Sequence, residues 1–313
     1  MNLPRSGALL IDKPEGLSSS DAVTRLKRAL IRSGAFEKGF KIGHGGTLDP
    51  FATGVLIVLF GEGTKLADCY LHSKKTYTGT LRLGASTDSG DPTGTPGEPV
   101  PVPSLGVPEW QGLADTFVSG PYLQVPPMHS AKKRDGVALY ELARRGESVE
   151  REPLLKKIES FRVSATESPL ELDFETACES GTYVRVLAED LAKKAGTLAH
   201  LTGLRRVRSS DRTLQETLPL EETLTLIETD PGSLPNLVPL ERLASHVPSI
   251  QVSPDEAASI RQGLARVIEP LKVRANKAGA EGRYLILRQG SAPIALLERP
   301  DPAASFRLQR VFN

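Results

Sequence analysis

The sequence is poor in the residues that form disulfides and metal sites. It contains only two cysteines, Cys69 and Cys178, which lie far apart and without the spacing of metal-ligand motifs. A disulfide framework and a zinc site are therefore not indicated, and we expect two buried free thiols. The five histidines are equally scattered, with no His-x-x-x-His pair. No metal is needed to account for the sequence.

Long apolar runs are also missing. The longest, Val55 to Phe60 with its neighbours, is far shorter than the ~20 residues that a helix needs to cross a bilayer. The N-terminus lacks a basic-then-apolar signal peptide, so we expect a folded cytoplasmic protein without membrane attachment. The glycines at 43–46 lack the pattern of a P-loop or of a dinucleotide fold, so no nucleotide cofactor is indicated.

The charges are arranged in blocks. The formal net charge is only +1, which by itself argues against a nucleic-acid partner. However, residues 193–212 are mainly basic, 216–256 mainly acidic and 261–310 basic again. Such blocks indicate surfaces that face a polyanion. Ordinary solvated faces of helices and strands are the alternative at this point.

The hydrophobic patterns mix strands and helices without a repeating strand–helix–strand unit. Residues 84–108, rich in Gly, Pro, Ser, Thr and Asp, predict a long loop or exposed insertion. The mixture of strands and helices without a repeating unit favours an α+β fold over a doubly wound sheet. Before residue 200, strands are predicted at 7–12, 54–60, 74–83, 154–164 and 169–178, and helices at about 18–30, 64–71, 109–118, 139–143 and 183–195.

The acidic, proline-bearing segment 214–248 is the best candidate for a domain boundary. After it, Ser253-Pro254-Asp255-Glu256 has the form of a capping box and predicts a short helix to about Gln262. We therefore predict a main domain of residues 1–247, with 84–108 as a loop insertion, and a small β-rich domain of residues 248–313. The strands expected in the small domain are 266–269, 283–288, 294–298 and 306–311.

The most distinctive stretch surrounds His44 and Asp49. Glycines beside His44 remove side-chain bulk, so that a large flat ligand can approach the main chain. Pro50 biases Asp49 toward an extended conformation and supplies no N–H to compete for its carboxylate. From these residues alone, a fixed acid at the mouth of a strand is a candidate nucleophile, and an ordinary turn is the alternative.

Residues Gly43 to Leu56, Gly-His-Gly-Gly-Thr-Leu-Asp-Pro-Phe-Ala-Thr-Gly-Val-Leu, resemble the catalytic motif of the bacterial tRNA pseudouridine-55 synthases, the TruB family. The resemblance implies a mixed, mainly antiparallel central sheet flanked by helices and loops, followed by a PUA-like RNA-binding domain. Further matches occur in the family's order and span residues 7 to 210: Asp12-Lys13-Pro14, Lys75-Thr76-Tyr77, Pro126 to Ala131, Ser180 to Arg185 and Leu204-Arg205-Arg206.

The implied activity is the isomerisation of uridine 55 in the TΨC arm of tRNA. The N1–C1′ bond breaks, the base rotates and C5 joins C1′ without net redox change, so no cofactor is implied. Asp49 is the implied nucleophile, and attack on the sugar, attack on the base and elimination from the sugar all stay open. Tyr77 is the implied active-site tyrosine, and Arg185 the guanidinium that keeps the acid ionised and oriented.

The resemblance also implies how the RNA is bound. His44 would stack among displaced loop bases while the target uridine is flipped out. The expected partner is the TΨC stem-loop of tRNA, no protein partner is evident, and we expect a monomer. The other implied substrate contacts are Lys13, Gly45, Gly46, Tyr183 and Leu204. Basic residues expected at the RNA phosphates are Lys132, Lys133, Arg134, Arg205, Arg206 and Arg208.

Two other functions stay open at this point. One is a tRNA-binding folding chaperone in which catalysis is secondary. The other is a glycosidase-like hydrolase that uses Asp49 alone, which is disfavoured because no second carboxylate is placed as its partner.

Overall fold

The computed structural model describes residues 3–130, 133–134, 136–147, 149–264, 267–277, 279–301 and 303–312. The strands are β1 (Gly7–Lys13), β2 (Ile42–His44), β3 (Thr53–Phe60), β4 (Lys75–Leu83), β5 (Tyr122–Gln124), β6 (Lys133–Arg134), β7 (Val137–Ala138), β8 (Leu154–Lys156), β9 (Ile158–Ala165), β10 (Glu171–Cys178), β11 (Ala199–Ser209), β12 (Arg212–Thr213), β13 (Leu218–Pro219), β14 (Leu237–Pro239), β15 (Ser249–Gln251), β16 (Tyr284–Gln289), β17 (Ala292–Glu298) and β18 (Arg307–Val311). The helices are α1 (Ser19–Arg32), α2 (Ala67–Leu71), α3 (Val107–Val118), α4 (Leu139–Arg144), α5 (Val184–Lys194), α6 (Leu220–Thr229), α7 (Pro254–Arg261) and α8 (Ile268–Lys277).

The chain forms two compact units. The first takes in the described residues of 1–49, 55–71 and 209–313, and the second those of 50–54 and 72–208. Cys69 and Cys178 are buried free thiols, as predicted. Within the described ranges, no helix has both the length and the apolar character needed to cross a membrane.

The first unit is built on a sheet whose central strands are covered on both faces. Strand order is β13-β1-β3, with β2 antiparallel to β3 and β14 antiparallel to β1. Side chains of a strand alternate between its two faces, and in β3 both sets are buried. Such double coverage explains the continuous apolar run of its sequence. Leu56, Val58 and Phe60 pack with α1 and α6, whereas Val55, Ile57 and Leu59 join a cluster with α2.

The segment predicted as a domain boundary carries its own secondary structure. Residues of 214–248 form β13 and β14, both paired with β1, and helix α6. The acidic character of α6 reflects its exposed face, on which Glu221 pairs with Arg25 of α1 at 2.7 Å. The division into domains of 1–247 and 248–313 stays a prediction.

Residues 249–311 contain a four-stranded sheet in the order β15-β16-β17-β18, together with α7 and α8. The capping box at Ser253 is confirmed. A strand at 266–269 is wrong for its described residues, because Ile268 begins α8. The buried positions Ile268, Leu271 and Ala275 of that helix recur at helical spacing, a pattern that a four-residue window is too short to reveal.

The second unit also contains a sheet, and its strands pair mainly in antiparallel fashion. Strand order is β11-β4-β10-β9, and β11 runs parallel to the first two residues of β3, with Arg205 opposite Thr53. Helix α3 packs on β9. Strand β11 was not predicted, because its arginines hide the alternation of its buried residues. Both units agree with the predicted α+β class and its mixed, mainly antiparallel sheet.

Gly54 marks a close approach between β3 and β11. Its φ is +102°, a conformation that side chains rarely adopt. A Cβ at this position would lie 2.8 Å from the backbone nitrogen of Arg206. Gly34 has a similarly positive φ of +75°, but open space surrounds it.

We predict that Gly54→Ala destabilises the fold much more than Gly34→Ala. Gly34→Ala lowers the free energy of unfolding only by the strain of a left-handed backbone conformation, about 1 kcal/mol. At Gly54 a clash with backbone atoms is added, and the loss exceeds about 3 kcal/mol. Urea unfolding of both variants measures the difference. Equal midpoints for the two variants would contradict this reading of the β3–β11 contact.

Candidate active site

The predicted site residues divide between the two units. Lys13, His44, Gly45, Gly46 and Asp49 belong to the first unit. Among the residues that the structure describes, no group of three or more His, Cys, Asp or Glu side chains is arranged to hold a metal ion. The second unit contains Tyr77, Tyr183, Arg185, Leu204, Arg205, Arg206 and Arg208.

The glycine-rich loop is tightly packed. His44 lies opposite Val58 in the β2–β3 pair, and Gly45 N–H donates to the carbonyl of Ile57 at 2.9 Å. A Cβ at Gly45 would lie 2.7 Å from the Cβ of Tyr70. Gly46 has a φ of +144°. Both glycines are buried, so close packing and backbone conformation require them, and their contact with a substrate stays a prediction.

The residue before Asp49 is fixed by helix α1. The hydroxyl of Ser19 accepts a hydrogen bond from Leu48 N–H at 2.8 Å and donates one to the Leu48 carbonyl at 3.1 Å. Ser19 is 1% exposed and Leu48 4%. One buried hydroxyl therefore satisfies both backbone groups of Leu48. Because the Leu48 carbonyl belongs to the peptide plane that continues into Asp49, Ser19 fixes the approach of the chain to this carboxylate.

Lys13 is more deeply buried than we expected for a residue that contacts a substrate. The side chain is fully buried, and its Nζ donates to the carbonyls of Pro14 at 2.8 Å and Leu17 at 2.7 Å. These bonds close the turn between β1 and α1. These two bonds give Lys13 a structural role in the turn, and its contact with a substrate stays a prediction.

Arg185 is a buried cation on the first turn of α5. Its side chain is 4% exposed, and its Nε lies 3.8 Å from Oδ2 of Asp91. Its guanidinium donates to the carbonyl of Ser89 and, at 2.8 Å, to that of His129. Removing a charge from water costs several kcal/mol unless partners compensate. Arg185 is therefore held in place by its surroundings and does not lie on the exposed face of its helix.

Residues 84–108 were predicted as a long loop or exposed insertion, and the loop has a buried part near its start that contacts Arg185. Thr87, Ser89 and Asp91 are each at most 9% exposed. The Asp91 carboxylate accepts hydrogen bonds from Ser89 Oγ at 2.8 Å and from Thr93 N–H at 3.0 Å. Sequence reasoning missed Asp91 because its neighbours have the composition of any surface loop. The spacing of Asp91 and Thr93, typical of an Asx-turn, was the available indication.

The remaining residues of the second unit lie on three elements. Tyr77 stands on β4 opposite Thr176 of β10. Leu204 is 9% exposed on β11, the strand that neighbours β4. Tyr183 is the N-cap residue of α5 and precedes Arg185 by two positions. The structure thus brings Tyr183 and Arg185 to the same helix end, and Tyr77 and Leu204 to adjacent strands.

The residues predicted to contact RNA phosphates differ in how exposed they are. Arg206 is 1% exposed, so its predicted phosphate contact is not supported. Arg205 is half-buried and donates to Thr53 Oγ1 at 3.2 Å, whereas Arg208 is exposed. Lys132 lies outside the described residues, and Lys133–Arg134 form β6.

Comparison with known proteins defines the class of this enzyme. The family model described as "TruB family pseudouridylate synthase (N terminal domain)" matches residues 33–184. That range contains the glycine-rich loop, Asp49, Tyr77, the Asp91 loop and Tyr183. This match covers just under half of the chain, and relatives that span more of it establish the class as that of the pseudouridylate synthases.

Relatives extend the match to nearly the whole chain. The chain is 40% identical over 287 residues to tRNA pseudouridine synthase B of Dechloromonas aromatica, covering 89% of each chain. It is 38% identical over 320 residues to the protein of the same name from Geobacter sulfurreducens, covering 98% of this chain and 99% of the relative. The chain belongs to the TruB family.

Solved structures agree on the fold. A chain of the crystal structure of a Cbf5-Nop10-Gar1 complex superposes with a TM-score of 0.69 at 20% identity, covering 98% of this chain and 85% of that one. At this identity the likeness supports the fold alone.

We predict that Ser19→Ala destabilises the protein more than the neighbouring Ser18→Ala. Ser18 is the N-cap of α1, and its loss costs about 1 kcal/mol. Loss of Ser19 leaves two buried groups of Leu48 without their partner, at about 1–3 kcal/mol each. Urea unfolding and hydrogen exchange of the Leu48 amide measure both effects. If the Leu48 amide exchanged hydrogen at similar rates in the two variants, the contact between Ser19 and Leu48 would be ruled out.

Proposed function

We propose that this protein converts uridine 55 in the TΨC arm of tRNA to pseudouridine. Membership of the TruB family and the names of the relatives support this substrate. The observation that carries the proposal is the buried Arg185, held by Asp91 and two carbonyls at the position where the family motif has its catalytic arginine. An interior guanidinium with so many partners is suited to act on a carboxylate in chemistry that excludes water.

In this proposal Asp49 is the nucleophile. The Ser19–Leu48 contact and Pro50 restrict the backbone on both sides of Asp49, which favours one orientation of its carboxylate. The N1–C1′ bond breaks, C5 bonds to C1′, and the proton on C5 leaves while N1 gains one. Tyr77 stacks on the detached base and its hydroxyl helps to remove the C5 proton. Attack on the sugar, attack on the base and elimination all remain compatible with these roles.

The RNA is bound through stacking and phosphate contacts. His44 stacks among the loop bases while the uridine is flipped out. Tyr183 and Leu204 line the uridine pocket, and Gly45 and Gly46 allow close approach of the RNA. We assign phosphate contacts to Arg205, Arg208, Lys132, Lys133 and Arg134, leave out the buried Arg206, and keep Lys13 as a proposed substrate contact.

Residues 1–247 form the catalytic domain in this proposal, and residues 248–313 form a PUA-like module that touches the tRNA. The enzyme acts as a monomer in the cytoplasm and uses no cofactor.

We predict that the protein forms pseudouridine at position 55 of an unmodified tRNA transcript and that Asp49→Asn forms none while still binding the RNA. The amide keeps the shape of the carboxylate but lacks its nucleophilic charge. Chemical mapping of pseudouridine and a filter-binding Kd measure the two properties. A transcript with cytidine at position 55 is the substrate control.

Three outcomes would contradict this function. Pseudouridine formation by the Asp49→Asn variant would show that Asp49 is not the nucleophile. Release of free uracil indicates a hydrolase. Binding that accelerates tRNA folding without any modification by the parent protein indicates a folding chaperone.

A further inference from the structure

Gln124 on β5 holds the backbone of Tyr183 at two points. Its Oε1 accepts a hydrogen bond from Tyr183 N–H at 2.8 Å, and its Nε2 donates to the Tyr183 carbonyl at 3.0 Å. The Nε2 also donates to the hydroxyl of Tyr122 at 3.0 Å. Gln124 is 1% exposed. Its carboxamide is therefore fully engaged with protein groups inside the second unit and does not face a substrate.

The contact lies where helix α5 begins. Tyr183 is the N-cap residue, and its own side chain makes no capping hydrogen bond. Its carbonyl also accepts the helical hydrogen bond of Leu187 N–H at 3.1 Å. Because Gln124 bonds both backbone groups of Tyr183, it fixes the peptide planes on either side of this residue. Arg185 follows on the first turn and takes its direction from them.

A second contact ties the same strand to the same helix. The hydroxyl of Tyr122 donates to Oδ2 of Asp190 at 2.8 Å, and its ring packs edge-on against Phe117 at 5.1 Å. Burial, with the nearby Asp190 charge, raises the pKa of the Tyr122 phenol well above its usual range, so the hydroxyl stays a donor. Strand β5 thus braces α5 at its start and again along its length.

We propose that Gln124 is a positioning residue for pseudouridine formation, because its carboxamide fixes the helix start that carries Tyr183 and Arg185. The inference rests on the proposed function, in which these two side chains serve the reacting uridine. Gln124 does not touch the RNA. Its loss therefore lowers the rate of the chemical step and leaves RNA affinity unchanged.

The chain supplies a matched control in Gln111 on α3. Its Oε1 accepts from Val163 N–H at 2.9 Å, and its Nε2 donates to the Phe161 carbonyl at 2.9 Å. The same kind of carboxamide bridge thus holds β9, a strand on which we place no site residue. Gln111→Met removes an equivalent bridge without changing the start of α5.

The test compares Gln124→Met and Gln111→Met in the full-length protein with a tRNA transcript. Single-turnover rate, RNA Kd and thermal midpoint are measured for each. We expect Gln124→Met to react at least about tenfold more slowly with a Kd within about twofold of the parent, while Gln111→Met keeps the parent rate. Equal rates for parent and Gln124→Met, or an equal loss of rate in both variants, would overturn the proposal.

Gln124→Glu adds a pH readout that a purely structural role would not produce. Only the protonated carboxylic acid both accepts and donates, as the carboxamide does. Because position 124 is buried, desolvation raises the pKa of a glutamic acid placed there, so that it loses its proton closer to neutral pH. The rate of Gln124→Glu relative to the parent should therefore be higher at pH 6 than at pH 8, and parallel pH profiles would contradict the positioning role. An inactive parent would overturn the proposed function itself, whereas an active parent with an unaffected Gln124→Met overturns only this inference.

Discussion

The burial of one charged group, the Arg185 guanidinium, ties helix α5 to the loop that contains Ser89 and Asp91 and to the chain at His129. A cation removed from water must find acceptors inside the protein. Here these are the Asp91 carboxylate and the carbonyls of Ser89 and His129. A loop with the composition of a surface segment consequently folds inward. Since the helix that carries Arg185 is braced by β5 as well, the guanidinium occupies a fixed position before any substrate arrives, which suits the catalytic role proposed for it.

In the first unit, the chain that leads to the Asp49 carboxylate is fixed by packing and not by the burial of a charge. The loop that leads to Asp49 is shaped by close packing: Gly45 lies against Tyr70, and Ser19 bonds both backbone groups of Leu48. Tyr70 is held in turn, because its hydroxyl accepts a hydrogen bond from Ala244 N–H at 2.8 Å. Contacts from α1, α2 and the chain near residue 244 therefore fix this loop. Both units thus use interior contacts to immobilise the groups assigned to catalysis.

Local sequence patterns predicted the elements whose determinants are local. Strand β3 follows from its apolar run, and the capping box at Ser253 places the start of α7. Strand β11 and helix α8 were missed, because arginines interrupt one pattern and a short window hides the other. Asp49 was a candidate nucleophile from its local sequence, with an ordinary turn as the alternative, whereas Tyr77 and Arg185 came from a family resemblance. Asp91, Ser19 and Gln124 were missed, since each acts on groups distant from it in sequence.

Asp91→Asn tests most directly whether the buried guanidinium is held for catalysis. The amide oxygen still accepts the hydrogen bonds of Ser89 and Thr93, but the negative charge beside Arg185 is gone. The single-turnover rate of pseudouridine formation and the RNA Kd are measured together. We predict a rate at least about tenfold lower with an unchanged Kd. A parental rate in a folded Asp91→Asn variant would contradict the account.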